Sequence, residues 1–137
     1  MDFSGGCYCG ALRYHATGKP LFKALCHCQH CQIFSGGMAA FLIGMPKSLF
    51  AYTQGEPAVM LNQSNSESKA QREFCGHCGT HILAIADSNP EMVSIKVGTM
   101  DDISLYGSPE MALQMDDSRA FHTLPEGIAQ YPRWPWS

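Results

Sequence analysis

The cysteines of this chain lie in three short clusters, and this spacing constrains the fold more than any other feature of the sequence. The seven cysteines are Cys7 and Cys9, then Cys26, Cys28 and Cys31, then Cys75 and Cys78. A tight turn presents two thiolates to one zinc ion when they stand a few residues apart, at about 2.3 Å from the metal. The clustering therefore predicts zinc binding and indicates which parts of the chain meet at the metal.

Disulfide bonds are the alternative explanation for so many cysteines, and three observations argue against them. An odd number of thiols leaves one unpaired. A C-x-C pair is also a poor disulfide, because the bond places the α-carbons about 4.4–6.8 Å apart without strain. The first residues, MDFSGGCYCG, lack the basic and apolar regions of a secretory signal. We therefore expect a cytoplasmic protein in which clustered, reduced cysteines bind metal or take part in chemistry.

The three clusters divide naturally into one set of four thiols and one set of three. A structural zinc site is closed by four ligands, whereas a catalytic site holds zinc through three protein ligands and keeps one position open. The two pairs would form the closed site, with Cys7, Cys9, Cys75 and Cys78 as ligands. The remaining cluster of Cys26, Cys28 and Cys31 would form an open catalytic or labile site, whose zinc is held less firmly and can be partly absent.

Composition and local pattern predict a mainly β protein with little helix. The chain has 13 glycines and 8 prolines but only 15% charged residues, which fits many turns between buried strands. Strands are predicted at residues 11–17, 21–25, 38–44, 50–53, 58–61, 70–74, 81–86 and 92–97. A short helix fits the pattern only from Ile33 onward or after Pro109, and the polar residues 62–68 are predicted to form a surface loop or hairpin connection.

We expect a single domain over residues 1–137, because no repeat and no linker divides the chain. This domain would be compact and built of small antiparallel sheets around the zinc clusters. Its C-terminal part, from about residue 104, is rich in proline and carries Phe121, Leu124, Tyr131 and Trp134. Two interpretations are open for this segment: an irregular strap packed over a sheet, or a wall of the active cleft.

Charge and hydropathy argue against two classes of partner. A net charge of -3 without clusters of Lys and Arg does not fit nucleic-acid binding. The longest apolar run, residues 38–45, is far shorter than the roughly 20 residues that span a membrane. The sequence gives no indication of the oligomeric state.

The order of these motifs resembles that of the glutathione-dependent formaldehyde-activating family, also called the centromere protein V family. The resemblance rests on the C-x-C of residues 6–10, the C-H-C-x-x-C of residues 26–31 with the following Ser35-Gly36-Gly37, and the F-C-x-x-C-G of residues 74–79. Residues 97–102 resemble a G-x-x-D-D turn of the family, and residues 117–125 loosely resemble its closing region. The resemblance covers about residues 5–125 and leaves 126–137 as a C-terminal tail.

The resemblance implies the same division of cysteines, with a four-sulfur structural zinc and a three-sulfur catalytic or labile zinc. It also implies a carbon–sulfur lyase activity of the S-(hydroxymethyl)glutathione synthase type, with glutathione or another thiol and formaldehyde or a similar aldehyde as partners. An open zinc site suits this chemistry, because a coordinating thiol is deprotonated and becomes a nucleophile for an aldehyde carbon. The alternative is a non-catalytic zinc-binding module, or a redox or metal-buffering protein, of the same fold.

Residues near the open site are candidates for supporting roles. His27 and His30 lie within the three-cysteine cluster, where we consider either of them as a ligand and His30 also for a proton-transfer role. Ser35-Gly36-Gly37 either offers backbone N–H groups to the carboxylate of a peptide-like thiol or forms a plain glycine turn. The other histidines, His15, His77, His81 and His122, are expected in ordinary surface or core positions.

Overall fold

The computed structural model describes residues 1–61 and 69–135, which form eleven strands and one short α-helix. The strands are β1 (Asp2–Gly6), β2 (Arg13–Thr17), β3 (Phe22–Cys26), β4 (Ala40–Pro46), β5 (Phe50–Gln54), β6 (Ala58–Leu61), β7 (Ala70–Phe74), β8 (His81–Ala86), β9 (Met92–Lys96), β10 (Met111–Leu113) and β11 (Ala129–Gln130). The helix is α1 (Gln29–Phe34), and short 3₁₀ helices cover Lys47–Leu49, Val97–Thr99, Ile103–Tyr106 and Met115–Asp117. The predicted mainly β class is confirmed.

The polar segment 62–68, for which we predict a surface loop or hairpin connection, lies outside the described residues, as do residues 136 and 137. Within the described ranges, none of the helices has the length and apolar character that crossing a lipid bilayer requires.

The strands form two sheets of unequal size. A three-stranded antiparallel sheet has the order β1-β2-β5, and an eight-stranded sheet has the order β11-β10-β3-β4-β9-β8-β7-β6. Pairing in the larger sheet is antiparallel from β3 to β6, whereas β10 pairs in parallel with both β3 and β11. The larger sheet is therefore more extensive than the small sheets expected from sequence, and it is mixed at one edge.

The eight strands predicted from sequence correspond to β2–β9, whereas β1, β10 and β11 are not anticipated by the pattern. β1 has the sequence DFSGG, in which glycine weakens the signal for a strand. Its glycine has a packing reason, since a β-carbon on Gly5 would overlap the carbonyl oxygen of Thr99 and the phenol of Tyr14. The conformation of β1 is thus determined by its close packing against Thr99 and Tyr14, and not by a preference of its own residues for strands.

The two faces of the larger sheet bury different sets of side chains, because successive residues of a strand point to opposite sides. On β4, Ile43 and Met45 pack into a core shared with the three-stranded sheet. Ala40 and Leu42 point the other way, into a second core that also contains Cys26 and Cys31. Burying each such large aliphatic side chain contributes about 1.5–3 kcal/mol. Cysteines are thus part of both apolar cores.

Helix α1 begins inside the three-cysteine cluster, which corrects the prediction of a helix from Ile33 onward. Cys28 is its N-cap, and the Cys28 sulfur accepts a hydrogen bond from the backbone N–H of Cys31 at 3.3 Å. This bond satisfies one of the free N–H groups that every helix start exposes. A six-residue helix is therefore fixed by a cysteine cap, a signal that apolar periodicity does not contain.

The segment after Pro109 is a strand followed by a 3₁₀ helix, which corrects the second prediction of an α-helix. β10 pairs with β3 in parallel, and its residues Ala112 and Leu113 are completely buried. Burial in two apolar cores decides the conformation here, because a three-residue strand has little preference of its own.

The C-terminal segment crosses the edge of the larger sheet at β11 and covers both of its faces. Before β11, Leu124 and Ile128 pack against a cluster formed by Leu25, Ala39 and Ala112. After β11, Tyr131 and Trp134 pack against the core that holds the three-cysteine cluster. The C-terminal segment is therefore a strap packed over the sheet, as one of the two interpretations predicts. The same segment also lines a cavity.

Candidate metal centres

The first centre, the four-cysteine cluster, joins two distant turns of the chain. The turn after β1 supplies Cys7 and Cys9, and the turn between β7 and β8 supplies Cys75 and Cys78. All four sulfur atoms lie within 4.8 Å of one another. Cys7 and Cys75 are buried, whereas Cys9 is exposed and Cys78 is half-buried. The structure thus assembles the set of four thiols that the spacing predicts.

Hydrogen bonds within each turn point at the sulfur atoms, and the backbone N–H of Tyr8 in the first turn donates to the hydroxyl of Thr80 in the second at 3.1 Å. The backbone N–H of Leu12 donates to the Cys7 sulfur at 3.2 Å, and the N–H of Cys78 donates to the Cys75 sulfur at 3.4 Å. The hydroxyl of Thr80 lies 3.2 Å from the Cys78 sulfur and lowers the pKa of that thiol to about 5. N–H···S bonds and the cap-like turn of a C-x-x-C pair favour thiolates, the form that binds zinc.

The second centre, the three-cysteine cluster, is local and more deeply buried. Cys26 ends β3, Cys28 caps α1, and Cys31 lies in the first turn of that helix. Their three sulfur atoms lie within 4.8 Å of one another, and no fourth Cys, His, Asp or Glu of the described residues joins the group. Cys26 and Cys31 are only 1% and 5% exposed. The donor set fits zinc with one open position.

The thiols of this cluster share their charge unevenly. Hydrogen bonds from Cys26 and Cys31 lower the pKa of Cys28 to about 2, with a smaller contribution from the charge of Arg72. A hydrogen bond with Cys26 and the charge of Lys96 act to lower the pKa of Cys31, whereas the Cys28 thiolate and burial raise it to about 11. Cys28 is therefore the thiolate of the metal-free cluster; the charge of Arg72 favours negative charge at Cys28, and the charge of Lys96 favours it at Cys31.

A group of cationic and aromatic side chains lies on the same face of the sheet as this cluster. The guanidinium of Arg72 lies 4.6 Å from the ring centre of Phe34, which is the last residue of α1. The Phe34 ring lies 4.4 Å from that of His81, which in turn stacks on Phe74 at 5.2 Å. Arg72 is 4% exposed. None of these side chains was predicted as part of the site.

Lys96 and His81 also belong to the group of side chains on this face of the sheet. Lys96 pairs across the sheet with Leu42, which packs in the same core as Cys26 and Cys31. Burial, followed by the charges of Lys96 and Arg72, lowers the pKa of His81. His81 is therefore an uncharged ring between two aromatic side chains, and its Nδ1 is buried without a hydrogen-bond partner among the described residues.

A cavity of about 340 Å³ lies on the opposite face of the sheet, next to the three-cysteine cluster. Its lining residues are Leu25, His27, Met38, Ala39, Phe41, His122, Thr123, Leu124 and Pro125. Leu25 and Cys26 are successive residues of β3, so the cavity and the Cys26 sulfur face opposite ways. The C-terminal strap therefore walls a cavity as well as covering the sheet.

His122 fastens the strap over this cavity, a role that the sequence does not reveal. The backbone N–H of Arg119 donates to its Nδ1 at 2.9 Å, so Nε2 carries the hydrogen and donates to the carbonyl oxygen of Gly37 at 2.7 Å. The ring also contacts that of His27 at 5.2 Å. Only tertiary structure brings residue 122 to residue 37, and no local signal could have found this pair.

The other predicted supporting residues lie close to the three-cysteine cluster. His30 is a half-buried residue of α1, between Cys28 and Cys31, and its proton-transfer role stays a prediction. In Ser35-Gly36-Gly37, the three N–H groups donate to the carbonyl oxygens of Cys31, Ile33 and Gln32. These bonds end the helix as a glycine turn, and a ligand carboxylate would have to compete with them.

Comparisons with known proteins show to which family this chain is similar. A family model described as "Glutathione-dependent formaldehyde-activating enzyme" matches residues 2–117. An uncharacterized lyase of Schizosaccharomyces pombe is 31% identical over 85 residues, which is 59% of this chain and 56% of that protein. The aligned part thus spans little more than half the length of that relative.

A solved structure shows a similar fold. It is a crystal structure of a Rhodobacter sphaeroides protein from a structural genomics programme, with 20% sequence identity and a TM-score of 0.61. The match covers 77% of this chain and 96% of the other. At this identity the likeness concerns the fold alone.

Proposed function

This chain belongs to the glutathione-dependent formaldehyde-activating enzyme family, and from that premise we propose that it is a zinc-dependent carbon–sulfur lyase. Its reaction would be of the S-(hydroxymethyl)glutathione synthase type, joining a thiol such as glutathione to formaldehyde or a similar aldehyde. The observation that carries the proposal is the three-cysteine cluster, in which the sulfur atoms of two buried cysteines and one half-buried cysteine converge without a fourth protein ligand among the described residues. A cytoplasmic location fits, because its reducing conditions keep both thiols and ligands reduced.

The donor sets of both centres fit zinc, and the two centres would use it differently. Cys7, Cys9, Cys75 and Cys78 would hold a structural ion, while Cys26, Cys28 and Cys31 would hold a second ion with one open position. When bound there, zinc makes a coordinating thiol acidic, so that the thiol is present as a thiolate. Three thiolates are unable to close a tetrahedral site, and this leaves room for a ligand from outside.

The reaction needs one new bond and one proton transfer. The sulfur of the thiol bonds to the aldehyde carbon, the carbonyl π-electrons move to oxygen, and the proton lost by the thiol ends on that oxygen. Burial of Cys26 and Cys31 limits water at the centre and so strengthens its electrostatic interactions. His30, a half-buried residue of α1 between Cys28 and Cys31, is the residue that we propose for the proton transfer.

Exchange spectroscopy of the glutathione–formaldehyde equilibrium tests this function. Zinc-loaded wild-type protein should accelerate exchange between free and adducted glutathione above the spontaneous rate, and Cys28→Ser should remove this acceleration. His15→Gln is a matched control, since His15 pairs with Asp2 on the three-stranded sheet, away from both clusters. A fully zinc-loaded wild-type protein that leaves the rate unchanged would refute the lyase proposal.

A metal-buffering role is the second candidate, and the closeness of three sulfur atoms, all within 4.8 Å of one another, favours it. A thiolate next to two further thiols is open to oxidation, and a disulfide among them would expel the metal. Mild peroxide would then release one zinc ion per chain, and a thiol reductant would restore binding. Release of zinc without any thiol–aldehyde exchange activity would support this role over the lyase.

A further inference from the structure

The charge of the three-cysteine centre depends on what occupies its open position. Zinc with three thiolates carries a net charge of -1 by simple counting. A fourth ligand that is neutral, such as water or imidazole, leaves this charge unchanged, whereas a fourth thiolate makes the net charge -2. A buried increase in negative charge is costly unless positive charge lies nearby.

The four-cysteine centre meets a similar charge in a different way. Its sulfur atoms accept hydrogen bonds from the N–H groups of Leu12 and Cys78, and Cys9 is exposed to water. The cation nearest in sequence to its first turn, Arg13, is bound to the carboxylate of Asp101. Hydrogen bonds and solvent therefore balance the charge of that centre.

The three-cysteine centre has less help from the backbone. Its cysteines are buried or half-buried, and one backbone N–H, that of Cys31, donates to a sulfur atom of the cluster among the bonds found in the described residues. Arg72 lies in the same region, since its guanidinium stacks on Phe34, three residues after Cys31 in the short helix α1. A guanidinium is permanently charged and remains so when buried.

Lys96 adds a second cation on this face of the sheet. Lys96 lies on β9 and pairs with Leu42 of the neighbouring strand β4, and Leu42 packs with Cys26 and Cys31. His81 lies between Phe34 and Phe74 and is uncharged, for the reasons given above, so the positive charge here comes from Arg72 and Lys96. Both cations thus lie on the face of the sheet that carries the three-cysteine cluster.

We propose that Arg72, assisted by Lys96, makes the open position of this centre selective for an anionic fourth ligand. Arg72 is a positioning residue in this role: it does not bind zinc, but it offsets the charge that the centre gains when a thiolate enters. The inference rests on the proposed zinc site and adds to it the reason why a thiolate, rather than a neutral ligand, is favoured there.

Binding of two small ligands to the cobalt-substituted protein tests this proposal without any catalytic assay. The probes are 2-mercaptoethanol, which binds as a thiolate and has no carboxylate, and imidazole, which binds as a neutral ligand. Cobalt–thiolate absorption reports occupancy of the open position. In Arg72→Met, thiol affinity should fall about 10–100-fold, the usual loss when a residue that supports a metal centre is removed. Imidazole affinity should stay within about twofold of wild type.

The conservative variant separates charge from packing. Arg72→Lys keeps the positive charge but loses the guanidinium that lies over the Phe34 ring, so it should retain most of the thiol affinity. If Arg72 only packs against α1, Arg72→Met and Arg72→Lys will weaken both probes alike, and the proposal is wrong. Arg13→Met is the matched control, because its cation belongs to the other centre; it should leave the affinities of both probes unchanged.

Lys96→Met provides a second test should Arg72→Met fail to fold. Lys96 is only partly buried, and so we expect a smaller loss of thiol affinity, roughly three- to tenfold, again without loss for imidazole. A wild-type protein that binds imidazole but not the thiol overturns the inference directly. Selectivity for the thiol in a protein that does not accelerate thiol–aldehyde exchange would support the inference and refute only the lyase function.

Discussion

The two cysteine clusters use the same ligand and serve different parts of the architecture. The four-cysteine cluster connects the turn after β1, in the three-stranded sheet, with the turn after β7, in the eight-stranded sheet. The three-cysteine cluster lies within six residues of chain, between β3 and α1. The four-cysteine cluster therefore links two sheets, and the three-cysteine cluster shapes only the local connection between β3 and α1.

Chain entropy gives this difference an energetic meaning. Cys9 and Cys75 are 66 residues apart in sequence, and their sulfur atoms lie 3.8 Å apart. A link that closes a long loop removes more freedom from the unfolded chain than one that closes a short loop, by about 0.6 kcal/mol for each doubling of the loop length. A metal at the four-cysteine cluster should thus stabilise the whole fold, whereas a metal at the three-cysteine cluster stabilises little and is free to exchange.

The largest expected effect is the loss of folding in Cys75→Ser. Structural zinc contributes an apparent binding free energy of about 10–16 kcal/mol, similar to or larger than the roughly 5–15 kcal/mol stability of a typical domain. Circular dichroism and elemental analysis should show an unfolded or strongly destabilised protein that has lost the corresponding zinc.

Cys31→Ser is the matched control for this experiment, since Cys31 is also almost fully buried. It should remain folded and lose about 1–3 kcal/mol, the cost of a buried hydroxyl without good partners. The comparison fails if a metal-free Cys75→Ser protein keeps the wild-type unfolding temperature, or if Cys31→Ser is the less stable of the two.

The second effect concerns zinc release. Three thiolates and one exchangeable ligand hold an ion less firmly than four thiolates, so a chromophoric chelator should remove two ions in two separate phases. Cys28→Ser should abolish the fast phase and leave the slow phase unchanged. Release of both ions in a single phase would show that the clusters are equivalent, contrary to the geometry.

The strand pattern and the grouping of cysteines could be predicted because each depends on local spacing. Alternation of apolar and polar residues predicts β2–β9, and the spacing of cysteines predicts which thiols share a centre. β1 and β10 have no such signal: one is rich in glycine and the other has three residues. Their conformation depends on close packing and burial, which are properties of the folded molecule.

The surroundings of the three-cysteine centre could not be predicted for a related reason. Alternation along β7 places Arg72 on the same strand face as Ala70 and Phe74, which the sequence alone allows one to see. Nothing local shows that this face meets the helix that begins at Cys28. The meeting of His122 with Gly37, 85 residues apart, is likewise a matter of topology.

A smaller effect should follow from truncating the part of the strap that covers the three-cysteine cluster. Tyr131 is half-buried against the core that contains Cys26 and Cys31. Tyr131→Ala should cost about 1–2 kcal/mol in denaturant unfolding, less than the roughly 3–5 kcal/mol of a fully buried aromatic residue. It should also accelerate the fast phase of zinc release, because water and chelator gain access.

Phe121→Ala is the control for this prediction, since Phe121 belongs to the same strap but is 68% exposed. It should change neither the unfolding free energy nor the zinc release. An acceleration of the slow phase by Tyr131→Ala would mean that the two clusters are coupled, and the comparison would need revision.

The smallest effect should come from His122, which fastens the strap on the opposite face of the sheet. His122→Phe keeps a ring beside His27 but loses the part-buried hydrogen bond to Gly37, while the exposed N–H of Arg119 exchanges its bond to Nδ1 for one to water. The expected cost is about 0.5–1.5 kcal/mol in denaturant unfolding, the usual worth of one such bond. Zinc release should stay within about twofold of wild type in both phases, because the Cys26 sulfur faces away from this side. If His122→Phe accelerates the fast phase as much as Tyr131→Ala does, the two faces of the sheet are not independent, and the cavity belongs to the metal centre.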